Sequence, residues 1–237
     1  MYRISPVVKH LIIINAIFFV VSNLMPESVG VNLDHLFSVY FIKSAQFKPF
    51  QYITSMFMHA NFTHLLFNML ALFFLGPYVE SYLGAKKFLI LYFTAGFSGH
   101  FLSLGIDYYN FSQIIDQIQP QDFEEIRENG RSILMDNKNF IDPILGKMNS
   151  IMNTASLGAS GAINGVMIAF AMMFPNVKLQ LLFPPIPVKA KYLAIAFIGY
   201  DIFFGFSSVQ TGIGHFAHLG GAIAGILLIM YWKKQNF

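Results

Sequence analysis

The residues best suited to chemistry in this sequence are a serine, two histidines and an asparagine that lie within long apolar runs: Ser160, His218, His64 and Asn68. A serine hydroxyl is a weak nucleophile until a neighbouring base removes its proton, and histidine side chains titrate in the range that suits this task. Ser160 and His218 therefore have the types needed for acyl transfer by a serine–histidine dyad.

Acyl transfer also needs hydrogen-bond donors for the oxyanion of the tetrahedral intermediate. The run Gly158-Ala159-Ser160-Gly161 lies at a predicted helix start, where backbone N–H groups have no partner within the helix. His64 and Asn68 are four residues apart on one predicted helix face and add side-chain donors. No third acid is expected at this depth, because Asp201 falls deeper in its own apolar run, where a further buried charge is costly.

The composition indicates a membrane protein. Charged residues make up 11% of the 237 residues and hydrophobic ones 55%, whereas about a quarter of the residues in a soluble domain are charged. The mean hydropathy is +0.56. The absence of cysteine excludes disulfides, thiolate metal sites and a cysteine nucleophile. The basic residues lie in short clusters between apolar runs, which argues against a nucleic-acid partner.

Six apolar stretches are long enough, or nearly so, to cross the hydrocarbon core, which takes about 20 helical residues. They cover residues 7–24, 64–83, 88–106, 156–174, 192–206 and 212–232. The sequence thus predicts an all-α bundle of six transmembrane helices that forms one domain over residues 1–237. Its surroundings are the lipid bilayer.

The loop charges predict the orientation. The termini and the even-numbered loops carry the clustered basic residues, so both ends are expected to be cytoplasmic: Arg3, Lys9, Lys86, Lys87, Lys178, Lys189, Lys191, Lys233 and Lys234. Residues 107–150 are acidic and form a predicted external, partly helical insertion between the third and fourth spans, with an apolar stripe at Phe123, Ile126, Ile133 and Leu134.

With this orientation, the second, fourth and sixth spans start at the external side and carry the four polar residues in their first two turns. At 1.5 Å per residue, Ser160, His218, His64 and Asn68 then lie roughly 3–10 Å below the external surface. Small-residue stripes let helices approach closely in lipid. One such stripe flanks Ser160 (Gly161, Gly165, Ala169) and another flanks His218 (Ala217, Gly221, Gly225).

Each polar residue also has a purely structural interpretation. A serine in a glycine-rich span is commonly a packing residue, and a lone intramembrane histidine can be either structural or functional. His215 and His218 have a spacing that could ligate a metal, but with no cysteine and no carboxylate expected in the layer, no metal and no cofactor is predicted. Asp201 is interpreted as a packing or hinge residue. No role is assigned to His10, His35, His59 or His100.

The sequence resembles the rhomboid family of intramembrane serine proteases, in particular its bacterial members. The resemblance covers nearly the whole chain and rests on motifs in order: His64-Leu65-Leu66-Phe67-Asn68, Gly158-Ala159-Ser160-Gly161 and Ala217-His218-Leu219-Gly220-Gly221, with Phe174-Pro175-Asn176 and the loop 185–191. It implies a six-helix bundle with a water-filled cavity open to the outside, Ser160 as nucleophile, His218 as general base, and His64 and Asn68 with Ser160 in the oxyanion hole. The implied partners are transmembrane protein substrates, and the implied location is a bacterial inner membrane.

The sequence departs from the family pattern at three places. Phe50-Gln51 stands where a Trp-Arg pair is common in the first external loop, and the insertion at 107–150 is longer than the family core requires. Asn164, one helical turn beyond Ser160, occupies a usually aromatic position. We hypothesise that its carboxamide oxygen accepts a hydrogen bond from the His218 N–H that faces away from the serine, or else that it bonds only a water or a neighbouring helix.

Two other functions remain open at this stage. One is a weakly active or inactive relative that binds membrane-protein clients, although such relatives typically lose the serine or the histidine. The other is a transporter, although its polar relay should cross the membrane rather than gather in one leaflet. The sequence specifies neither an oligomeric state nor a physiological substrate.

Overall fold

The computed structural model describes residues 4–24, 32–180, 185–207, 209 and 211–235. These residues form the helices α1 (Pro6–Leu24), α2 (Leu33–Phe37), α3 (Gln51–Thr54), α4 (Phe62–Leu83), α5 (Ala85–Ile114), α6 (Pro120–Met135), α7 (Pro143–Asn153), α8 (Ser160–Met173), α9 (Ala190–Gly205) and α10 (His215–Lys234). Two 3₁₀ turns cover Ser55–Phe57 and Ile115–Gln117, and the strands β1 (Lys178–Gln180) and β2 (Pro187–Lys189) pair antiparallel.

Within the described residues, four helices are long and apolar enough to cross a membrane: α1, α4, α10, and α5 with its following turn over Ala85–Gln117. The fourth and fifth predicted spans correspond to α8, with 14 residues, and α9, with 16. The protein is therefore a largely helical, multi-pass membrane protein, and six spans with both ends on one side remain a prediction. The third predicted span was placed too short, because α5 continues to Ile114 and buries Phe111 and Ile114 against the insertion.

Helix α10 packs between α5 and α8 along the predicted small-residue stripes. A Cβ atom added to Gly225 would lie 2.7 Å from the carbonyl oxygen of Gly165, and one on Gly99 would lie 2.6 Å from that of Ala217. Gly221 faces the backbone of Gly161 at an even closer approach. Real Cβ atoms do not come this close to backbone atoms. Glycine at these positions therefore allows α8 and α10 to approach closely enough for their polar side chains to form hydrogen bonds.

Helix α1 is attached to α4 by a buried carboxylate. The Glu80 side chain accepts hydrogen bonds from the backbone N–H groups of Val7, at 3.1 Å, and Val8, at 3.0 Å. These N–H groups belong to the first turn of α1 and have no partner within the helix. The carboxylate satisfies them, and its negative charge interacts favourably with the positive end of the helix dipole.

The insertion folds against the loop that precedes α4. Its helices α6 and α7 enclose a small apolar core, in which Ile126, Met148 and Met152 pack with Phe41 of that loop. Polar contacts add to this packing, since Ser44 Oγ donates to Asn153 Oδ1 at 3.2 Å and Val39 pairs with Ser156 through backbone hydrogen bonds. The insertion therefore supports the loop rather than standing apart from the bundle.

Gln51 holds the same loop from within. Its side chain is buried, and Nε2 donates to the carbonyl oxygens of Leu36, at 3.2 Å, and Gln46, at 3.0 Å, while Oε1 accepts from the backbone N–H of Lys48 at 2.9 Å. The glutamine thus makes an uncharged loop anchor at the place where the resemblance implies a Trp-Arg pair.

Candidate active site

Ser160 and His218 meet where α8 and α10 begin. Ser160 is the first residue of α8, and His218 lies in the first turn of α10. The distance between Ser160 Oγ and His218 Nε2 is 2.9 Å, a normal hydrogen bond. Both side chains are half-buried, so the pair is open to a ligand without being exposed on the surface.

Asp201 completes a chain of hydrogen bonds behind His218. Its Oδ1 lies 3.0 Å from His218 Nδ1, and the residue is 3% exposed. The expectation that no acid lies in this layer is therefore wrong. Depth has to be counted from the end of α9: Asp201 lies one turn before that end, about 6 Å along the axis. That is the same layer as the start of α10, because the two helices run antiparallel and are adjacent in sequence.

His215 is a second buried histidine on the same carboxylate. Its Nδ1 lies 2.7 Å from Asp201 Oδ1, and its Nε2 lies 2.7 Å from Thr211 Oγ1. Sequence reasoning gave neither Thr211 nor His215 a role in this network. The signal that could have found them is an ionisable residue near the end of an apolar helix, followed in the next helix by two histidines one turn apart.

The two side-chain donors predicted for the oxyanion are Asn68 and His64. Asn68 is buried, and among the described residues no acceptor lies within hydrogen-bond reach of its Nδ2. The His64 ring packs on Gly158, where an added Cβ would lie 2.9 Å from His64 Nε2 and 3.7 Å from Ser160 Oγ. Gly158 also has φ +128°, a conformation suited to glycine. His64 therefore lies beside the serine.

The start of α8 adds backbone donors. Its first helical hydrogen bond runs from the N–H of Ile163 to the carbonyl oxygen of Ala159 at 2.9 Å. The N–H groups of Ser160 and Gly161 precede that bond and have no acceptor in the helix. They point to the end of α8 where Ser160 lies.

Asn164 does not make the contact proposed for it. Its Nδ2 donates to the carbonyl oxygen of Ser160 at 3.0 Å, within its own helix, and the nitrogen of His218 that faces away from the serine bonds Asp201 instead. Two histidines to which the sequence assigns no role, His59 and His100, are buried, and His100 Nε2 lies 3.1 Å from Ser55 Oγ.

The chain is similar to several known proteins. The family model described as Rhomboid domain matches residues 46–235. Rhomboid protein 1, mitochondrial, of Saccharomyces cerevisiae is 29% identical over 182 residues, which are 77% of this chain and 41% of the yeast protein. Rhomboid protease AarA of Providencia stuartii is 31% identical over 182 residues, 75% of this chain and 54% of that protein. RHOMBOID-like protein 12, mitochondrial, of Arabidopsis thaliana is 28% identical over 231 residues, 98% of this chain and 60% of that protein.

The chain spans between 41% and 60% of the length of these three relatives. The family model nevertheless covers well over half of this chain, including α4, α8 and α10 with all the candidate site residues. The chain therefore belongs to the rhomboid family.

Proposed function

We propose that this protein is an intramembrane serine endopeptidase that cleaves transmembrane segments of membrane-protein substrates near the external face. The observation that carries the proposal is the hydrogen-bonded series Ser160–His218–Asp201, with distances of 2.9 Å and 3.0 Å. A serine hydroxyl bonded to an imidazole whose other nitrogen faces a carboxylate is the arrangement that activates a serine nucleophile.

In the proposed first step, Ser160 Oγ attacks the scissile carbonyl carbon while His218 Nε2 removes the hydroxyl proton. His218 then gives that proton to the leaving amine, which breaks the peptide bond and leaves an acyl-enzyme. A water molecule, deprotonated by the same nitrogen, hydrolyses the ester and restores Ser160. The imidazole thus needs its Nε2 free of a proton at the start, which is consistent with Nδ1–H donating to Asp201.

Asp201 acts in this proposal as the orienting acid. An ionised carboxylate only accepts hydrogen bonds, so it fixes the proton of His218 on Nδ1 and stabilises the imidazolium that forms during attack. The proposed catalytic group is therefore a triad, and Asn164 has no part in holding the base.

The oxyanion would be stabilised by Asn68, His64 and the N–H groups at the start of α8. The unpaired Nδ2 of Asn68 supports this assignment, because a buried donor without a partner is costly unless a ligand or water satisfies it. The strongest support for His64 is its position against Gly158, next to Ser160.

Substrates would reach the site past α9. This helix packs mainly on α10 and α8, and it turns large apolar side chains outward, with Phe203 69% and Ile195 65% exposed. Sideways displacement of α9 would open a path from the lipid. Because a peptide bond in a stable helix is shielded, the substrate should carry helix-breaking residues such as Gly or Pro at the cut.

A bacterial inner membrane with both termini in the cytoplasm is the proposed location, on the basis of the motifs and the loop charges. The chain would act there as one domain over residues 1–237.

The proposal is tested with purified protein in lipid and a single-span substrate that carries a Gly-Pro break. Wild type should cleave it and react covalently with a fluorophosphonate at Ser160. Ser160→Ala and His218→Ala should each abolish cleavage, and the double variant should be no worse, since residues that act as one unit are not additive. Failure of the folded wild type to cleave any such substrate or to react with the probe, with substrate bound intact, would indicate a client-binding protein. Transport without cleavage would indicate a transporter.

A further inference from the structure

Three ligand atoms for a transition metal lie together behind the candidate serine. Asp201, His215 and His218 each offer one carboxylate oxygen or imidazole nitrogen, and these atoms all lie within 4.8 Å of one another. Asp201 and His215 are buried, and the His218 side chain is 16% exposed on the side of Ser160. The sequence predicts no metal because it places neither a cysteine nor a carboxylate in this layer, but Asp201 supplies the carboxylate.

We propose that Asp201, His215 and His218 form a reversible inhibitory site for a divalent transition metal of the Zn²⁺ type. Nitrogen and carboxylate ligands in a set of three, with a position left for water, suit Zn²⁺ and Co²⁺ and do not suit Mg²⁺ or Ca²⁺, which prefer six or more oxygens. The inhibitory part of the inference rests on the proposed protease function, whereas the metal site itself does not.

The geometry requires only small movements. Zinc bonds of about 2.0–2.2 Å at tetrahedral angles separate the ligand atoms by about 3.3–3.6 Å. The two pairs formed with Asp201 Oδ1 are shorter than this, at 2.7 Å and 3.0 Å, and one nitrogen of each ring lies with the carboxylate oxygen in a group whose atoms are all within 4.8 Å of one another. The metal would therefore sit between the two rings and separate each from the carboxylate by about half an ångström.

Binding would change the tautomer of both rings. Each Nδ1 now faces a carboxylate and carries the proton, whereas a metal needs the Nδ1 lone pair. Each neutral ring would move its proton from Nδ1 to Nε2 through solvent, so no net proton is released. His215 Nε2–H would then donate to Thr211 Oγ1, which can act as acceptor as well as donor.

The same exchange would disable the base. With the metal on Nδ1, His218 presents an N–H to Ser160 Oγ and can no longer take the proton of the hydroxyl. Substrate binding would be unaffected, so the metal should lower the turnover rate and leave KM nearly unchanged.

Binding is tested first without an activity readout, in wild-type protein and in Ser160→Ala protein, both without a histidine tag. Titration with Co²⁺ should produce the intense visible absorption of a tetrahedral ion with N and O ligands, and Zn²⁺ should remove it. His215→Asn keeps an N–H donor for Asp201 but removes the ligand nitrogen, so it should weaken Co²⁺ binding by at least about tenfold. His10→Asn, which removes an exposed histidine that bonds Pro6, is the matched control and should bind as before.

Inhibition is tested with enzyme that has the native serine and with buffered free Zn²⁺. Zinc should stop cleavage, chelator should restore it, and Mg²⁺ should do nothing. His215→Asn, compared with its own metal-free rate, should need at least about tenfold more Zn²⁺.

The outcomes separate the two proposals. If metal-free wild type does not cleave but binds Co²⁺ in this manner, the protease proposal fails and the metal site stands. If wild type cleaves but gives no tetrahedral Co²⁺ spectrum, or if His215→Asn folds and is inhibited at the wild-type concentration of Zn²⁺, the metal site is overturned. The wild-type spectrum decides the matter even if His215→Asn does not fold.

Discussion

Replacing Asp201 by asparagine tests the orienting acid most directly. The side chains have nearly the same shape, and the amide oxygen can still accept hydrogen bonds from His218 Nδ1 and His215 Nδ1, which lie 3.0 Å and 2.7 Å from the carboxylate. The negative charge is lost. A hydrogen bond to a charged group contributes about 1.5–3 kcal/mol, against about 0.5–1.5 kcal/mol for a neutral pair.

The difference matters most in the transition state, where His218 becomes an imidazolium. If the lost stabilisation is this difference of about 1–1.5 kcal/mol, Asp201→Asn should slow turnover by about 5- to 13-fold. The loss would be larger if the amide NH₂ turned toward His218 and forced its proton onto Nε2, since a wrong tautomer in a soluble serine protease costs about 10⁴-fold.

The assay is single-turnover cleavage of a transmembrane substrate in lipid, which separates the chemical step from product release. Asp116→Asn, an exposed aspartate in the turn before the insertion helices, is the control and should cleave like wild type. Thermal unfolding of each variant checks that the bundle is intact. Wild-type single-turnover rates in a fully folded Asp201→Asn protein would refute the role of the acid.

Four further results are expected. Asn68→Ala should fold and cleave about 10²–10³ times more slowly, the scale for one lost oxyanion donor; wild-type rates would place the oxyanion site elsewhere. Gly158→Ala should abolish cleavage, because the methyl group would meet the His64 ring at 2.8 Å and the backbone has φ +128°; an active variant would show that the loop adapts. Asn164→Ala should keep the single-turnover rate within a few-fold, since its bond stays within α8; a large loss would return it to the site. Burial, with a smaller effect of His64, lowers the pKa of His59 from 6.5 to about 4, so the folded state binds fewer protons than the unfolded state between these values. The free energy of unfolding should therefore fall as pH drops from about 6.5 to about 4, and His59→Gln should flatten this slope; equal slopes would contradict the assignment.

The sequence predicted the parts of the site that depend on residue type and helix direction. Ser160 and His218 could be placed at one depth because each lies in the first turn of a helix that the loop charges predict to start on the same side. The glycine stripes predicted that α8 and α10 touch, since few other residues permit such an approach. These inferences need only helical geometry and the cost of polar groups in lipid.

The third acid was missed because it depends on how α9 is placed against α10. Asp201 was assigned to a deeper layer, although its distance from the end of α9 is short. The contact expected of Asn164 is absent for a related reason. Helical periodicity predicts which face a residue occupies, but the Asn164 side chain donates to a backbone carbonyl of its own helix. The support of the first loop by the insertion, through Asn153 and Ser156, involves partners more than 100 residues apart, and no periodic pattern predicts such pairs.

Asp201 is carried by α9, the helix past which substrates are proposed to enter. A displacement of α9 that admits a substrate would also draw the carboxylate away from His218. In the open enzyme, His218 would then lack its hydrogen bond to Asp201. Opening and bond cleavage would then be successive and mutually exclusive events in time. A substrate helix that enters the opening without unwinding could leave uncut. A substrate that unwinds far enough for α9 to return to its closed position would be hydrolysed. In such a scheme, selectivity depends on how long a substrate stays in the opening as well as on its sequence.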